Sequence, residues 1–225
     1  MHQTWNDLLF AHWPLPPEIL RPLLPALLPL DTFEGECWVA VAPFHMTEIR
    51  PRWVPSIPGF SSFPELNVRT YVTVGGKPGV FFFSLDASNL AAVLTARITY
   101  QLPYFHARMS VQHVNGWIDY ESTRNDGARF RARYRPRGEV RLRSKGSLEH
   151  WLTERYCLYT VSANRVYRAE IHHLPWPLQD AEAEISENSM AGAAGIALPD
   201  RPSLLHFARK LQVLIWPLKA LDNQL

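Results

Sequence analysis

The chain has 225 residues, 47% of them apolar and 20% charged, with a formal net charge of +2. That length buries a core without a metal or disulfide staple, and so small a net charge implies no polyanionic partner for the molecule as a whole. Cys37 and Cys157 stand far apart in no ligand spacing and read as buried thiols of a reducing compartment.

There is no run of 18 apolar residues, and MHQTWNDLLFAHWP lacks a basic segment leading into an apolar one. A cytoplasmic protein of one domain, residues 1–225, without membrane contact, is therefore expected. Nineteen prolines at the edges of apolar runs favour many short elements joined by rigid turns.

In chain order, residues 1–30 hold two apolar pieces, TWNDLLFAHW and PPEILRPLLPALLPL, the second opening a short helix after Pro16-Pro17. ECWVAVAPFHMTEI and LNVRTYVTV read as strands, and Gly75-Gly76 turns the second into a hairpin with VFFFSLDA. DASNLAAVLTAR breaks the strand pattern and predicts a helix capped by Ser88 or Asp86, with Arg97 near its end. Strands follow in LPYFHARMSVQHV, GWIDYESTR, ARFRARYRPR and EVRLR, then a helix capped by Ser147. CLYTVS, RVYRAEIHHLPW, LQDAEAEI and LLHFARKLQVLIWP complete the strands, and NSMAGAAGI predicts one more short helix. About ten strands with three or four helices predict an α+β fold on a mainly antiparallel sheet, large enough to curl into a barrel or split into layers.

Arg129, Arg131, Arg133, Arg135 and Arg137 alternate with Phe130, Ala132, Tyr134 and Pro136, which places all five cations on one face of a strand. If Asn125-Asp126-Gly127 is a hairpin loop, Arg124 pairs with Ala128, Glu121 falls opposite Arg131 and Asp119 opposite Arg133. A salt-bridged solvent face is the expectation. A phosphate or nucleic-acid surface is the weaker alternative, because the interleaved aromatics point to the core.

The chain has no GxSxG, P-loop, GxGxxG or HExxH motif, and His172 and His173 point to opposite faces of a strand. No metal and no cofactor are expected.

The pieces FAHWPLPPEILRPLLP, LDTFEGECWVAVAPFHM, FPELNVRTYV, GKPGVFFFSLDAS, LPYFHARM, LTERYCLY and LIWP resemble the YqjF-like family, DUF2071, over nearly the whole chain. That family in turn resembles acetoacetate decarboxylase, which implies a cone-shaped, largely antiparallel β-barrel with short flanking helices. The decarboxylase pattern Gly-Arg-Glu-x-x-Gly-x-Pro-Lys-Lys is met only at Arg97 and Pro103, and Tyr104 and Phe105 stand where both lysines belong. An imine needs an amine nucleophile of lowered pKa, so Schiff-base decarboxylation is not expected.

What the resemblance leaves is a barrel pocket for a small anionic organic molecule, a carboxylate or keto acid. Arg97 would hold the carboxylate through its planar fork. Glu65, placed similarly to an acidic pocket residue of the decarboxylase, would act as a base or pair with Arg97 or Arg69. Tyr104 would donate a hydrogen bond, with Phe105 and Phe82 as an apolar wall. A barrel packed shut, serving as an interaction protein, is the competing expectation. Glu154-Arg155-Tyr156 is expected to be structural, and Trp176 to form a plug or a pocket rim.

Overall fold

The computed structural model describes residues 1–51 and 61–221. Twelve strands lie among them: β1 (His2–Leu15), β2 (Cys37–Arg50), β3 (Phe63–Val74), β4 (Lys77–Ala87), β5 (Tyr104–Val114), β6 (Trp117–Arg124), β7 (Arg129–Arg141), β8 (Cys157–Ser162), β9 (Arg165–His172), β10 (Leu178–Asn188), β11 (Leu204–Ile215) and β12 (Lys219–Ala220). Three short helices interrupt them: α1 (Pro17–Leu20), α2 (Leu90–Tyr100) and α3 (Leu148–Thr153). None is long and apolar enough to cross a membrane.

Strand pairing closes two rings that share five strands. The order β4-β3-β2-β1-β11 is common to both. The larger ring continues through β10, β7, β6 and β5 and returns to β4 by the parallel pairs Leu85–Tyr104, Asp86–Phe105 and Ala87–His106. The smaller ring continues from β11 through β9 and β8, returning to β4 by the parallel pairs Val80–Leu158 and Phe81–Tyr159. All other pairings are antiparallel. A parallel return needs a crossover, and α2 supplies the one between β4 and β5.

The shared sheet is covered on both faces. Leu9, Val39, Val41 and Val68 look into the larger ring, where they meet Tyr120, Phe130, Tyr134 and Phe207. Phe10, Trp38, Phe44 and Tyr71 look into the smaller ring, against Phe82, Leu158, Ile171 and Trp176. A strand buried on both faces loses the apolar–polar alternation of a half-exposed one. That explains why TWNDLLFAHW reads as a featureless apolar piece and is in fact most of β1.

Two local expectations need correction. The α2 cap is Asn89, whose side chain accepts from the Ala92 N–H at 3.0 Å. Ser88 lies outside the helix and Asp86 is a fully buried member of β4, held by Arg124. NSMAGAAGI makes only a 3₁₀ turn at Gly192–Ala194. The other turns match the expected chemistry. Gly75 and Gly76, both at positive φ, join Val74 to Lys77. Gly127 at φ 92° lets the Arg124 N–H reach the Ala128 carbonyl at 2.9 Å. The resulting register pairs Glu121 with Arg131 and Asp119 with Arg133.

Candidate functional site

The inward face of β3 builds the site. Period two places Glu65, Asn67, Arg69 and Tyr71 on the side facing the smaller ring, and all four are buried. Two irregularities complete the wall. A bulge in β4 opposite Val68 and Arg69 changes its parity, so Phe82 and Leu85, three residues apart, face the same way. Beside an irregular register with β2, Asp7 at φ 50° does the same in β1, bringing Gln3, Trp5 and Leu8 to one side. The last turns of α2 close the top with Ala96 and Tyr100. The cavity measures about 70 Å³.

Glu65 and Tyr104 meet in this cavity. The Tyr104 hydroxyl donates to Glu65 Oε2 at 2.8 Å, while Tyr120, reaching from the larger ring, donates to the Glu65 carbonyl at 2.7 Å. Burial pushes the Glu65 carboxyl up to about 8, and the nearby Asp86 adds to the rise; the Tyr104 hydrogen bond opposes it. Near neutral pH Glu65 is thus mainly a neutral acid. Burial, with the Glu65 carboxyl next, also holds the Tyr104 phenol well above its ordinary value, so it stays a donor.

Arg69 is the cation of the site. Among the described residues three arginines are buried: Arg69, Arg124 and Arg155. Arg124 binds Asp86 at 2.6 Å and Arg155 binds Asp31 at 2.6 Å. Among the described residues no carboxylate stands within 4.0 Å of Arg69. Its Nε has no partner, and its guanidinium lies 5.0 Å from the Phe10 ring centre. The Tyr71 hydroxyl lies 2.7 Å from His12 Nε2. Burial and the adjacent Arg69 hold His12 well below its ordinary pKa. Asn67, between Glu65 and Arg69, leaves its buried Oδ1 unpartnered. A buried charge without a counter-ion and a buried amide oxygen without a donor are each costly. Both line the same cavity.

Other expected site residues fall elsewhere. Arg97 is exposed, and its Nε donates to the Tyr104 carbonyl at 2.7 Å. Each helical residue advances about 100°, so with Ala96 and Tyr100 turned inward Arg97 points away. Neither a Glu65–Arg97 nor a Glu65–Arg69 ion pair forms. The latter two residues are about 13 Å apart along the strand at ~3.3 Å per residue. Phe105, next to Tyr104 on β5, points to the opposite face, where Arg124 covers its ring at 4.2 Å. Phe82 does line the cavity. Trp176 is a plug, packed on Trp5 and edge-on to Phe10. Glu154 receives the Trp176 N–H and the Tyr156 hydroxyl. Asn67 follows from the strand period once Glu65 faces inward. Gln3 carries no such signal, because its inward position depends on the change of parity at Asp7.

On the outer face, Arg131 pairs with Glu121 at 2.9 Å, Arg133 with Glu184 at 2.8 Å and Arg135 with Glu182 at 2.7 Å. Among the described residues no three His, Cys, Asp or Glu side chains converge as a metal site would need.

Two closed rings sharing a sheet, with an acid and a cation lining a cavity in the smaller one, have the acetoacetate-decarboxylase-like architecture. The chain belongs to the DUF2071 family, described as an uncharacterized conserved protein, whose model matches residues 2–212. It is 53% identical over 221 residues to the "Uncharacterized protein YqjF" of Bacillus subtilis (strain 168), covering 97% of this chain and 91% of that protein. Its fold matches an acetoacetate decarboxylase of Legionella pneumophila with a TM-score of 0.67 at 14% identity, over 98% of this chain and 87% of that one. The enduracididine biosynthesis enzyme MppR, in a structure complexed with pyruvate, matches with a TM-score of 0.69 at 11% identity, over 99% and 90% of the two chains.

Proposed function

We propose that the smaller ring binds a small organic acid carrying a second oxygen function, such as a 2-oxo acid. The carboxylate sits on Arg69, and the second oxygen takes hydrogen bonds from the neutral Glu65 carboxyl and its neighbours. The observation that carries this reading is the buried Arg69 without a carboxylate, facing a cavity of 70 Å³. That space is far below the several hundred Å³ of a cofactor site. It holds a handful of non-hydrogen atoms.

The cavity lining contains no lysine, which argues against imine chemistry. The chemistry available is acid–base: Glu65 delivers its proton to a carbonyl or enolate oxygen, and Tyr104 stabilises the carboxylate left behind. Arg97 acts at one remove, fixing the backbone of Tyr104 through its carbonyl. The pairing of Arg131, Arg133 and Arg135 with glutamates favours this reading over a phosphate-binding stripe.

Thermal unfolding with pyruvate, lactate and acetoacetate, on wild type and Arg69→Met, tests the reading. An acid at ~100 times its Kd adds about 2.7 kcal/mol, or roughly 5–10 °C for a domain of this size. Arg69→Met removes an unpaired buried charge, so the empty variant is expected to be at least as stable as wild type and to gain nothing from the acids. Wild type unmoved by every acid, together with a destabilised Arg69→Met, would make Arg69 structural and overturn the reading.

A further inference from the structure

The inner cavity has a larger neighbour. A second space of 610 Å³, within the range of ordinary ligand pockets, lies on the other side of a wall made by Met1, Gln3, Ala96 and Tyr104, which line both. Its remaining lining is mostly apolar, Met46, Ile49, Phe63, Ala92 and Pro217 among it, but also includes the polar Arg50, Asn89, Thr95 and Thr99. The inward face of β3 runs through both spaces in one line. Phe63 stands in the outer space, Glu65 and Asn67 in the inner one and Arg69 farthest along. From Phe63 to Arg69 the strand covers about 20 Å at ~3.3 Å per residue. The polarity along that line therefore changes in one direction, from apolar to neutral acid to amide to cation.

We propose that the natural ligand is a 2-oxo or 2-hydroxy acid with an apolar tail of several carbons. Its carboxylate sits on Arg69, its second oxygen lies near Glu65 and Tyr104, and its tail passes Ala96 into the outer space. This rests on the acid-binding role of the inner cavity and specifies what that cavity selects. Small side chains on the inward side of α2, Ala92 and Ala96, leave the room the tail occupies. Tyr104, lining both spaces, stands where the polar head ends and the tail begins.

Calorimetric titration of the full chain with pyruvate, 2-oxobutyrate, 2-oxohexanoate and 2-oxooctanoate tests the proposal, with Ala92→Phe and Thr95→Phe as variants that fill the outer space. Both positions are on α2, and Thr95 is exposed, so at least the second variant is expected to fold. Burying a methylene is worth about fourfold in affinity, and wild-type affinity is expected to rise by about that factor per added carbon. The rise should flatten in both filled variants, and Arg69→Met should weaken the whole series.

Pyruvate binding with no gain along the series would overturn the tail and leave the acid site standing. A gain that persists unchanged in both filled variants would place the tail elsewhere and likewise overturn it. Failure of every acid to bind would remove the acid site and the tail together.

Discussion

Glu65 is an acid kept neutral by its surroundings, and the consequence for pH has a definite sign. Its carboxyl titrates at about 8 in the folded chain against an ordinary 4.5. Between those values the unfolded chain releases a proton that the folded chain keeps. The folded state therefore has this contribution in full below pH 4.5 and loses it as the pH rises through 8. At ~1.4 kcal/mol per pH unit the total reaches ~5 kcal/mol, of which roughly 3 kcal/mol falls between pH 6 and pH 9. Glu65→Gln keeps an acceptor for Tyr104 and has nothing to ionise. Wild type is therefore expected to lose about 5–10 °C more of its Tm than Glu65→Gln over that interval. Parallel pH profiles for the two proteins would show that the carboxyl is solvated. Arg69 makes the complementary point: Arg124 and Arg155 show what the fold does with a buried guanidinium it means to keep quiet, and Arg69 lacks that treatment.

At the scale of elements, β4 and β8 meet at close quarters. A Cβ on Gly79 would lie 2.6 Å from the Tyr159 ring, 2.7 Å from the Cys157 carbonyl and 2.8 Å from its sulfur. One of these is backbone, and the Tyr159 hydroxyl is tied to the Lys77 carbonyl at 2.9 Å, so the neighbours cannot withdraw cheaply. Gly79→Ala is expected to cost about 1–3 kcal/mol, the range for overpacking, measured by denaturant unfolding. A cost below ~0.5 kcal/mol would mean that the ring closure tolerates a wider spacing. This junction was not legible in the sequence, since nothing local in KPGVFFF reveals a partner 78 residues away. The β6–β7 register was legible, because Asn-Asp-Gly defines a loop and period two then pairs every later residue. For the site the division is similar. Glu65 and Tyr104 stood out by resemblance, and Phe82 by the apolar strand that carries it. Arg97 and Phe105 were misplaced because facing depends on the phase of a helix end and on which of two adjacent strand residues turns inward. Only the three-dimensional phase of α2 and β5 decides that.

At the scale of the whole molecule, five strands serve two cores at once. Losing either ring exposes one full face of β1, β2 and β3, each buried on both sides over most of its length, so the two cores are expected to unfold together. The closures are narrow by comparison. Two residue pairs join β9 to β11, two join β4 to β8 and three join β4 to β5. The β5–β6 hairpin also ends in largely exposed residues around Val114. Native-state hydrogen exchange should therefore divide the chain. Amides of β2 and β3 are expected to exchange only through global unfolding, with the full denaturant dependence of the stability. Those of β12 and of the β5–β6 turn should exchange through local openings that depend weakly on denaturant. The pairs Leu85–Tyr104 and Asp86–Phe105 hold the strand that brings Tyr104 to Glu65, so an acid bound in the inner cavity should slow exchange at the start of β5. Uniform exchange over all twelve strands would mean that the closures are as strong as the shared sheet. The cavity would then be a rigid part of the core, with no weaker edge through which a ligand could enter.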